Sequence, residues 1–239
     1  MNIAVVGHGR MGQMLEQVCA QRDDVRVIGF VGQSRCTSLD ELADIDAAVD
    51  FSHPDNLQRT LESAVRRQIP LVIGTTGFSN VQGGDIHAAS QSIPIVWADN
   101  FSIGMTVFCR MARQMAQTLG ADFDMEIVET HHNQKADAPS GTANMILRSI
   151  DPENAYAHVY GRAGRLGARG REIGVHAVRG GTAAGEHSLR FFGQMEELEL
   201  RHRADSREIF ARGALKAAEF AQRMKPGLYD MEDVLFGGA

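Results

Sequence analysis

Residues 3–12 read I-A-V-V-G-H-G-R-M-G. The first four are apolar and mostly β-branched, as a buried strand requires, and Gly7-His8-Gly9-Arg10-Met11-Gly12 ends the run with G-x-G-x-x-G spacing. Met11, Met14, Leu15, Val18 and Cys19 then recur at the interval of one helix face. Strand, tight turn and helix in this order make half of a βαβ unit. V-R-V-I-G-F-V at 25–31 supplies the second parallel strand after a turn at 21–24. In that setting the glycines have separate tasks: Gly7 allows the sharp turn, Gly9 lets the backbone approach a pyrophosphate, and Gly12 lets helix and strand pack closely. The helix N-terminus adds unpaired N–H groups and positive potential, which suit an anion. A tight βα turn with no ligand is the competing reading.

Working outward, the alternation continues. Short strands are expected at 47–51, 70–73 and 93–98. Leu57, Leu61, Ala64 and Val65 mark a helix between the first two, and Met105, Phe108, Ala112, Met115 and Leu119 a long amphipathic helix after the third. From about residue 122 the pattern changes to longer strands, at 173–178, 185–192 and 197–203. In the last of these Leu198, Leu200 and His202 alternate with Glu197, Glu199, Arg201 and Arg203, which predicts an antiparallel or mixed sheet with one wet face. Glycine-rich 160–170 reads as a loop. Asp205 and Glu208 have capping-box spacing, so a last helix is expected to start at Asp205 and to present Ile209, Phe210, Gly213, Ala214, Ala217 and Phe220 to a core.

A chain of 239 residues with 44% hydrophobic and 23% charged residues suits two interlocked domains or one large α/β domain. Its net charge of −6 argues against a general nucleic-acid or membrane-surface binder, since neither polyanion is drawn to the average surface. Cys19, Cys36 and Cys109 form no C-x-x-C pair and are odd in number, so neither a disulfide framework nor a zinc ribbon is expected. The N-terminus runs straight into an apolar strand with no leader pattern, and no segment reaches the length of a membrane span. A cytoplasmic location is expected.

Residues 125–143 read M-E-I-V-E-T-H-H-N-Q-K-A-D-A-P-S-G-T-A. His131, His132 and Lys135 stand within five positions just past a strand, and Ser140-Gly141-Thr142 follows Pro139 as a helix start. Cations facing a helix N-terminus suit a carboxylate. Zinc is the competing explanation, but adjacent histidines on an extended chain point to opposite faces, so His131 and His132 do not readily share a metal, and none is expected. A surface His-His pair with an unrelated lysine is the blander reading.

The run E-T-H-H-N-Q-K-A-D-A-P-S-G-T-A at 129–143 closely resembles the signature of the dihydrodipicolinate reductase family. The resemblance extends to G-H-G-R-M-G from Gly7, D-F-S-H-P from Asp50, G-T-T-G-F from Gly74, N-F-S-I-G from Asn100, G-E-H from Gly185 and G-L-Y-D-M-E-D-V-L from Gly227, nearly the whole chain in order. It implies an α/β fold in which a Rossmann-like parallel-sheet dinucleotide-binding domain, 1–102 plus 206–239, carries an inserted α+β mixed-sheet domain, 103–205, for substrate binding and tetramerisation. The implied reaction is the NADPH- or NADH-dependent reduction of a cyclic, unsaturated imine dicarboxylate derived from 4-hydroxy-tetrahydrodipicolinate, on the route to diaminopimelate and lysine, by a homotetramer. By the same likeness His131 is the acid/base residue and Lys135 a proton donor, while His132, Ser140, Gly141 and Thr142 hold the substrate carboxylates. The cofactor would lie along Gly7, His8, Gly9, Arg10, Met11 and Gly12, along Gly74, Thr75 and Thr76, and along Ala98, Asp99, Asn100 and Phe101, with Phe101 near the nicotinamide.

One departure bears on the cofactor. The acidic residue that usually follows the second strand and holds the adenosine ribose of NAD is missing from V-G-Q-S-R at 31–35, and Arg35 is the cation in place to meet a 2′-phosphate; a solvated loop arginine is the other reading. His53 stands where some members have a basic residue near the cofactor. Two further functions compete: another Rossmann-type dehydrogenase of amino-acid metabolism, which would share G-x-G-x-x-G but not H-H-x-x-K-x-D-A-P-S-G-T, and a non-catalytic dinucleotide-binding protein, which would have no use for the histidine–lysine cluster.

Overall fold

The computed structural model describes residues 1–32 and 36–237. In chain order the elements are β1 (Asn2–Val6), α1 (Arg10–Cys19), β2 (Arg26–Val31), β3 (Ala47–Asp50), α2 (Leu57–Arg67), β4 (Leu71–Ile73), α3 (Asn80–Ser90) and β5 (Pro94–Trp97). Then come α4 (Ile103–Leu119), β6 (Asp124–His131), α5 (Gly141–Ile150), β7 (Ala157–Tyr160), β8 (Glu172–Arg179), β9 (Glu186–Gly193) and β10 (Glu196–Arg203). The chain closes with α6 (Glu208–Ala221), β11 (Gly227–Tyr229) and α7 (Met231–Phe236). These fall into two compact units, Met1–Ile103 with Arg207–Ala239, and Gly104–Ser206.

The first unit is built on a six-stranded parallel sheet in the order β11-β5-β4-β3-β1-β2. Alternate residues of each strand serve opposite faces, as the pleat dictates. Ile3, Val5, Ala47, Val49, Val72 and Val96 pack with Leu15 and Val18 of α1 and with Ala214, Leu215 and Ala218 of α6. Ala4, Val6, Ala48, Leu71, Ile73 and Ile95 pack with Leu57, Leu61 and Ala64 of α2 and Ile86 of α3. A sheet buried on both faces explains why the strands read as unbroken apolar runs. Strand order reverses between β1 and β3, which is where an open α/β sheet leaves a crevice at its carboxyl edge.

Two expectations need correction. α6 starts at Glu208 rather than Asp205; its N-cap is Arg207, which makes no side-chain cap bond, and the Asp205 carboxylate accepts from Arg203 Nε at 2.8 Å instead. Its fully buried stripe is Ala211, Gly213, Ala214, Leu215, Ala217, Ala218 and Ala221, while Ile209, Phe210 and Phe220 are half-buried. α3, β7, β11 and α7 are additional. α3 carries two glycines and no amphipathic period, and it is specified by its ends: Ser79 accepts from Gln82 N and Gln82 answers in a capping box.

The second unit is a five-stranded mixed sheet, β10-β9-β6-β8-β7, in which β6, β8 and β7 pair in parallel and β9 pairs antiparallel with both of its neighbours, β6 and β10. One face carries Met125, Ile127, Ile173, Val175, Leu189 and Phe191 against Met105, Phe108 and Ala112 of α4 and Ile146 and Leu147 of α5. The other carries ion pairs: Arg162 bridges Glu126 and Glu172 at 2.8 and 2.6 Å, and His176 Nε2 lies 2.7 Å from Glu126.

Candidate active site

The helix-covered face of β6 changes chemistry along its length. Met125 and Ile127 are core; the next two positions on that face are Glu129 and His131, 0% and 9% exposed. Register sets His187 of β9 opposite Glu129 and Arg179 of β8 beside His131. Glu129 Oε1 accepts from Arg179 Nη2 at 2.9 Å and from the Ser140 backbone N–H at 3.0 Å. Its Oε2 lies 2.8 Å from His131 Nδ1 and 3.9 Å from His187 Nε2. The Nδ1–H direction misses the line to Oε2, so this pair is a close charge contact rather than an aligned hydrogen bond. The two imidazole rings meet edge to face with centroids 5.1 Å apart.

α5 begins above this cluster because Ser140 caps it: its Oγ accepts from Ala143 N at 3.1 Å and lies 3.1 Å from His187 Nε2. The preceding loop is fixed at several points. Lys135 N donates to His132 O, Gly180 N to His131 O, and Arg179 Nη2 to Asp137 O at 2.6 Å, before a cis Ala138–Pro139 bond. Lys135 Nζ donates to Asp137 Oδ1 at 2.8 Å. His132 and Thr142 are half-buried and Gly141 is exposed at the first turn of α5. Gly185, in G-E-H, lies against the free edge of His131: a methyl group there would stand 3.2 Å from Nε2.

Burial outweighs the other influences on His131 and lowers its pKa from the usual histidine value, with Glu129 opposing and Lys135 and Arg179 adding to the effect. Burial, reinforced by His131, pushes His187 down to about 4. Glu129 goes the opposite way: burial works to raise its pKa, but Arg179 and the two Ser140 contacts together hold it below the usual carboxylate range. The site is therefore a buried anion matched by Arg179, with a neutral His187 behind and a titratable His131 in front. Glu129, His131 and His187 have ligand atoms within 4.8 Å of one another, a metal-like donor set. Part of this set is engaged, Glu129 Oε1 by Arg179 and Ser140 and His187 Nε2 by Ser140 Oγ, while Glu129 Oε2 and His131 Nδ1 face each other without a hydrogen bond. A guanidinium at 2.9 Å also disfavours a cation there.

The structure joins His131 and Ser140 through Glu129 and His187, neither of which sequence reasoning singled out; Asp137 and Arg179 were missed too. The signal for Glu129 lay in the alternation M-E-I-V-E-T-H, which puts it on the face of Ile127.

In the first unit the expected cofactor residues gather at the carboxyl edge of the parallel sheet. Gly7 has φ +94°, and a methyl group on it would meet Phe51 O at 2.6 Å; one on Gly12 would meet Gly7 O at 2.3 Å. A methyl group on Gly9 would touch nothing within 4 Å, so the middle glycine faces open space. α1 starts at Arg10 with no side-chain cap and no acidic residue in its first turn. Tight first and third glycines, an open second one and an uncapped helix N-terminus fit a dinucleotide pyrophosphate. Thr75 is buried and donates to Asp50 Oδ1 at 2.8 Å, so the Gly74-Thr75-Thr76 turn is tied to the end of β3, with Thr76 exposed. Ala98 N donates to Ile73 O, and Asn100 Oδ1 accepts from Ser102 N. Phe101 is 2% exposed and meets Phe51 edge to face at 6.0 Å. His8, Arg10 and Asp99 are exposed and Met11 half-buried. Arg35 lies outside the described residues. Beside the end of β2 a cavity of about 120 Å³ is lined by Gly32, Thr37, Asn56 and Arg59, with Arg59 donating to Thr37 O at 3.2 Å.

A glycine-turn parallel sheet joined in one chain to a mixed sheet bearing a buried Glu–His–Arg cluster is the architecture of a dinucleotide-type oxidoreductase. Family models for the N-terminus and the C-terminus of dihydrodipicolinate reductase match residues 1–101 and 104–235. The chain is 41% identical over 239 residues to the 4-hydroxy-tetrahydrodipicolinate reductase of Alkaliphilus oremlandii, covering 98% of each, and 42% identical over 241 residues to that of Akkermansia muciniphila, again covering 98% of each. It belongs to the dihydrodipicolinate reductase family. A dipicolinate-bound dihydrodipicolinate reductase from Paenisporosarcina sp. TG-14 shares the fold with a TM-score of 0.80 over 98% of this chain and 99% of the other, at 24% identity. A myo-inositol dehydrogenase from Corynebacterium glutamicum follows at a TM-score of 0.61, 17% identity and 95% and 90% coverage.

Proposed function

We propose that the chain reduces 4-hydroxy-tetrahydrodipicolinate, through the unsaturated cyclic imine dicarboxylate, to tetrahydrodipicolinate in lysine and diaminopimelate biosynthesis. The observation that carries this reading is His131, held over a buried carboxylate beside a capped helix N-terminus, inside a family whose named members have that activity. The nicotinamide cofactor, NADPH or NADH, supplies the hydride. Residues Gly7 to Gly12, 74–76 and 98–101 would hold it.

When a ring carbon conjugated to an imine accepts a hydride, negative charge accumulates and needs a proton or a nearby cation. His131 offers Nε2 for that proton, since Nδ1 faces Glu129. Lys135 supplies a mobile cation and proton donor, restrained by Asp137 until a substrate carboxylate competes for it. His132, Ser140, Gly141 and Thr142 bind the carboxylates at the start of α5, where the positive end of the helix favours an anion. Gly104–Ser206 would thus bind substrate and join four copies into a tetramer, and the remainder would bind the dinucleotide. A cytoplasmic location accords with this role; no helix among the described residues is long and apolar enough to cross a membrane.

A spectrophotometric assay on enzymatically generated substrate tests the reading and separates it from another dehydrogenase and from a non-catalytic dinucleotide binder. His131→Ala and Lys135→Ala should each lower kcat by ~10²-fold or more with NAD(P)H binding nearly intact. Near wild-type turnover in either variant would remove the assigned role. With no carboxylate after β2, NADPH should be accepted at least as well as NADH. Arg35→Ala should weaken NADPH more than NADH by ~1 kcal/mol, about fivefold, in paired KM measurements at fixed salt. Equal losses for both cofactors would move the 2′-phosphate contact elsewhere.

A further inference from the structure

We infer that Glu129 is the positioning residue of this site: one carboxylate oxygen decides which nitrogen of His131 carries its proton, and the other fixes the N-terminus of α5. The inference rests on the acid/base reading of His131 and adds to it a group that itself touches neither substrate nor cofactor.

Three observations carry it. Glu129 occupies a strand position that apolar Met125 and Ile127 fill earlier on the same face, and an ionised carboxylate at 0% exposure is costly unless its surroundings require it. Its two oxygens divide their work, Oε1 binding Ser140 N and Arg179 at 3.0 and 2.9 Å, Oε2 facing His131 Nδ1 at 2.8 Å. The contacts also form a closed circuit, because His187 Nε2 returns to Ser140 Oγ at 3.1 Å and stands 3.9 Å from Oε2. An anion beside Nδ1 favours a proton on that nitrogen and leaves Nε2, on the Gly185 side, for the reacting molecule.

The charged and titratable groups facing His131 are Glu129 from its own strand, Arg179 from β8, His187 from β9 and Lys135 from the following loop, with His202 of β10 acting on His187. Of these only Glu129 raises its affinity for a proton. Glutamine at 129 keeps a carbonyl oxygen for Ser140 and Arg179 but turns an N–H toward His131, which inverts the tautomer and removes the charge. Glu129→Gln should therefore lower kcat by about tenfold or more with little change in the substrate KM, and shift the pH limb that reports protonated His131 to lower pH. Glu129→Ala, which also frees Ser140, should raise KM as well.

The deciding measurement is ¹⁵N NMR of the His131 ring nitrogens against pH, in wild type and in Glu129→Gln. An Nδ1-protonated neutral ring in the wild type, an Nε2-protonated one in the variant and a lower titration midpoint are expected. An Nε2-protonated ring in the wild type, or an unmoved midpoint and kcat in the variant, overturns the inference. The wild-type tautomer settles the point even if the variant does not fold. His131→Ala measured in parallel keeps the two ideas apart: full turnover there ends the acid/base reading, whereas collapse there beside an unaltered Glu129→Gln enzyme ends only the role of Glu129.

Discussion

His187 shows what burial does to a single titratable side chain. In the folded protein its ring stays neutral down to about pH 4, while in the unfolded chain it takes up a proton near 6.5. Between those values the unfolded state binds more protons than the folded one, so stability falls as pH drops from 6.5 to 4. The loss attributable to this ring is about 3 kcal/mol at the lower end. Glu129 acts in a lower window, since its depressed pKa lends stability that is lost only as pH falls below the normal glutamate value. His187→Gln, which still reaches Ser140, should flatten the pH dependence between 6.5 and 4 in urea denaturation. An equally steep fall would place the acid sensitivity elsewhere. At this scale the sequence offers candidates where chemistry and spacing coincide in one segment, as in H-H-x-x-K and S-G-T, and the structure brings His131 and Ser140 of those segments into one cluster. The sequence was not legible for Glu129, Arg179 and His187, which are brought together by register across three strands.

Among the elements, α6 is the most exacting. Its buried stripe is almost all alanine and glycine, and a methyl group on Gly213 would lie 1.7 Å from Phe101 O, a backbone atom that cannot step aside. Helix propensity alone says that Gly213→Ala should stabilise by up to ~1 kcal/mol. The steric contact should win and the variant should lose on the order of 2 kcal/mol or more in chemical denaturation; a stabilised variant would refute the close packing of α6 on the loop after β5. Elements with a strong period, such as β1, α1, α2 and α4, were readable from apolar spacing alone. Those without one, α3 with its two glycines and β11 with three residues, are held by caps and by a neighbouring strand edge, which local pattern does not reveal. Asp205 misled for a related reason: capping spacing is short and common, and here an adjacent arginine claims the carboxylate.

Over the whole molecule the net charge of −6 opposes an incoming dicarboxylate; Arg179 is matched by Glu129, so local attraction falls to Lys135, once a substrate carboxylate displaces Asp137, and to the start of α5. The kcat/KM for the substrate should therefore fall as ionic strength rises toward 0.15 M, where the screening length is ~8 Å, and should fall less in Lys135→Ala. A rate that climbs with salt would mean that overall repulsion governs approach. The discontinuity of the first unit has a further result during synthesis. Five of its strands are made by Trp97, but α6, which covers one face of that sheet, emerges about 110 residues later, and β11 later still. At ~10 residues per second a ribosome leaves that face covered by α1 alone for roughly ten seconds, long enough for chaperones to engage the part that α6 will bury. The segment Gly104–Ser206, whose strands and helices are contiguous, has no such wait.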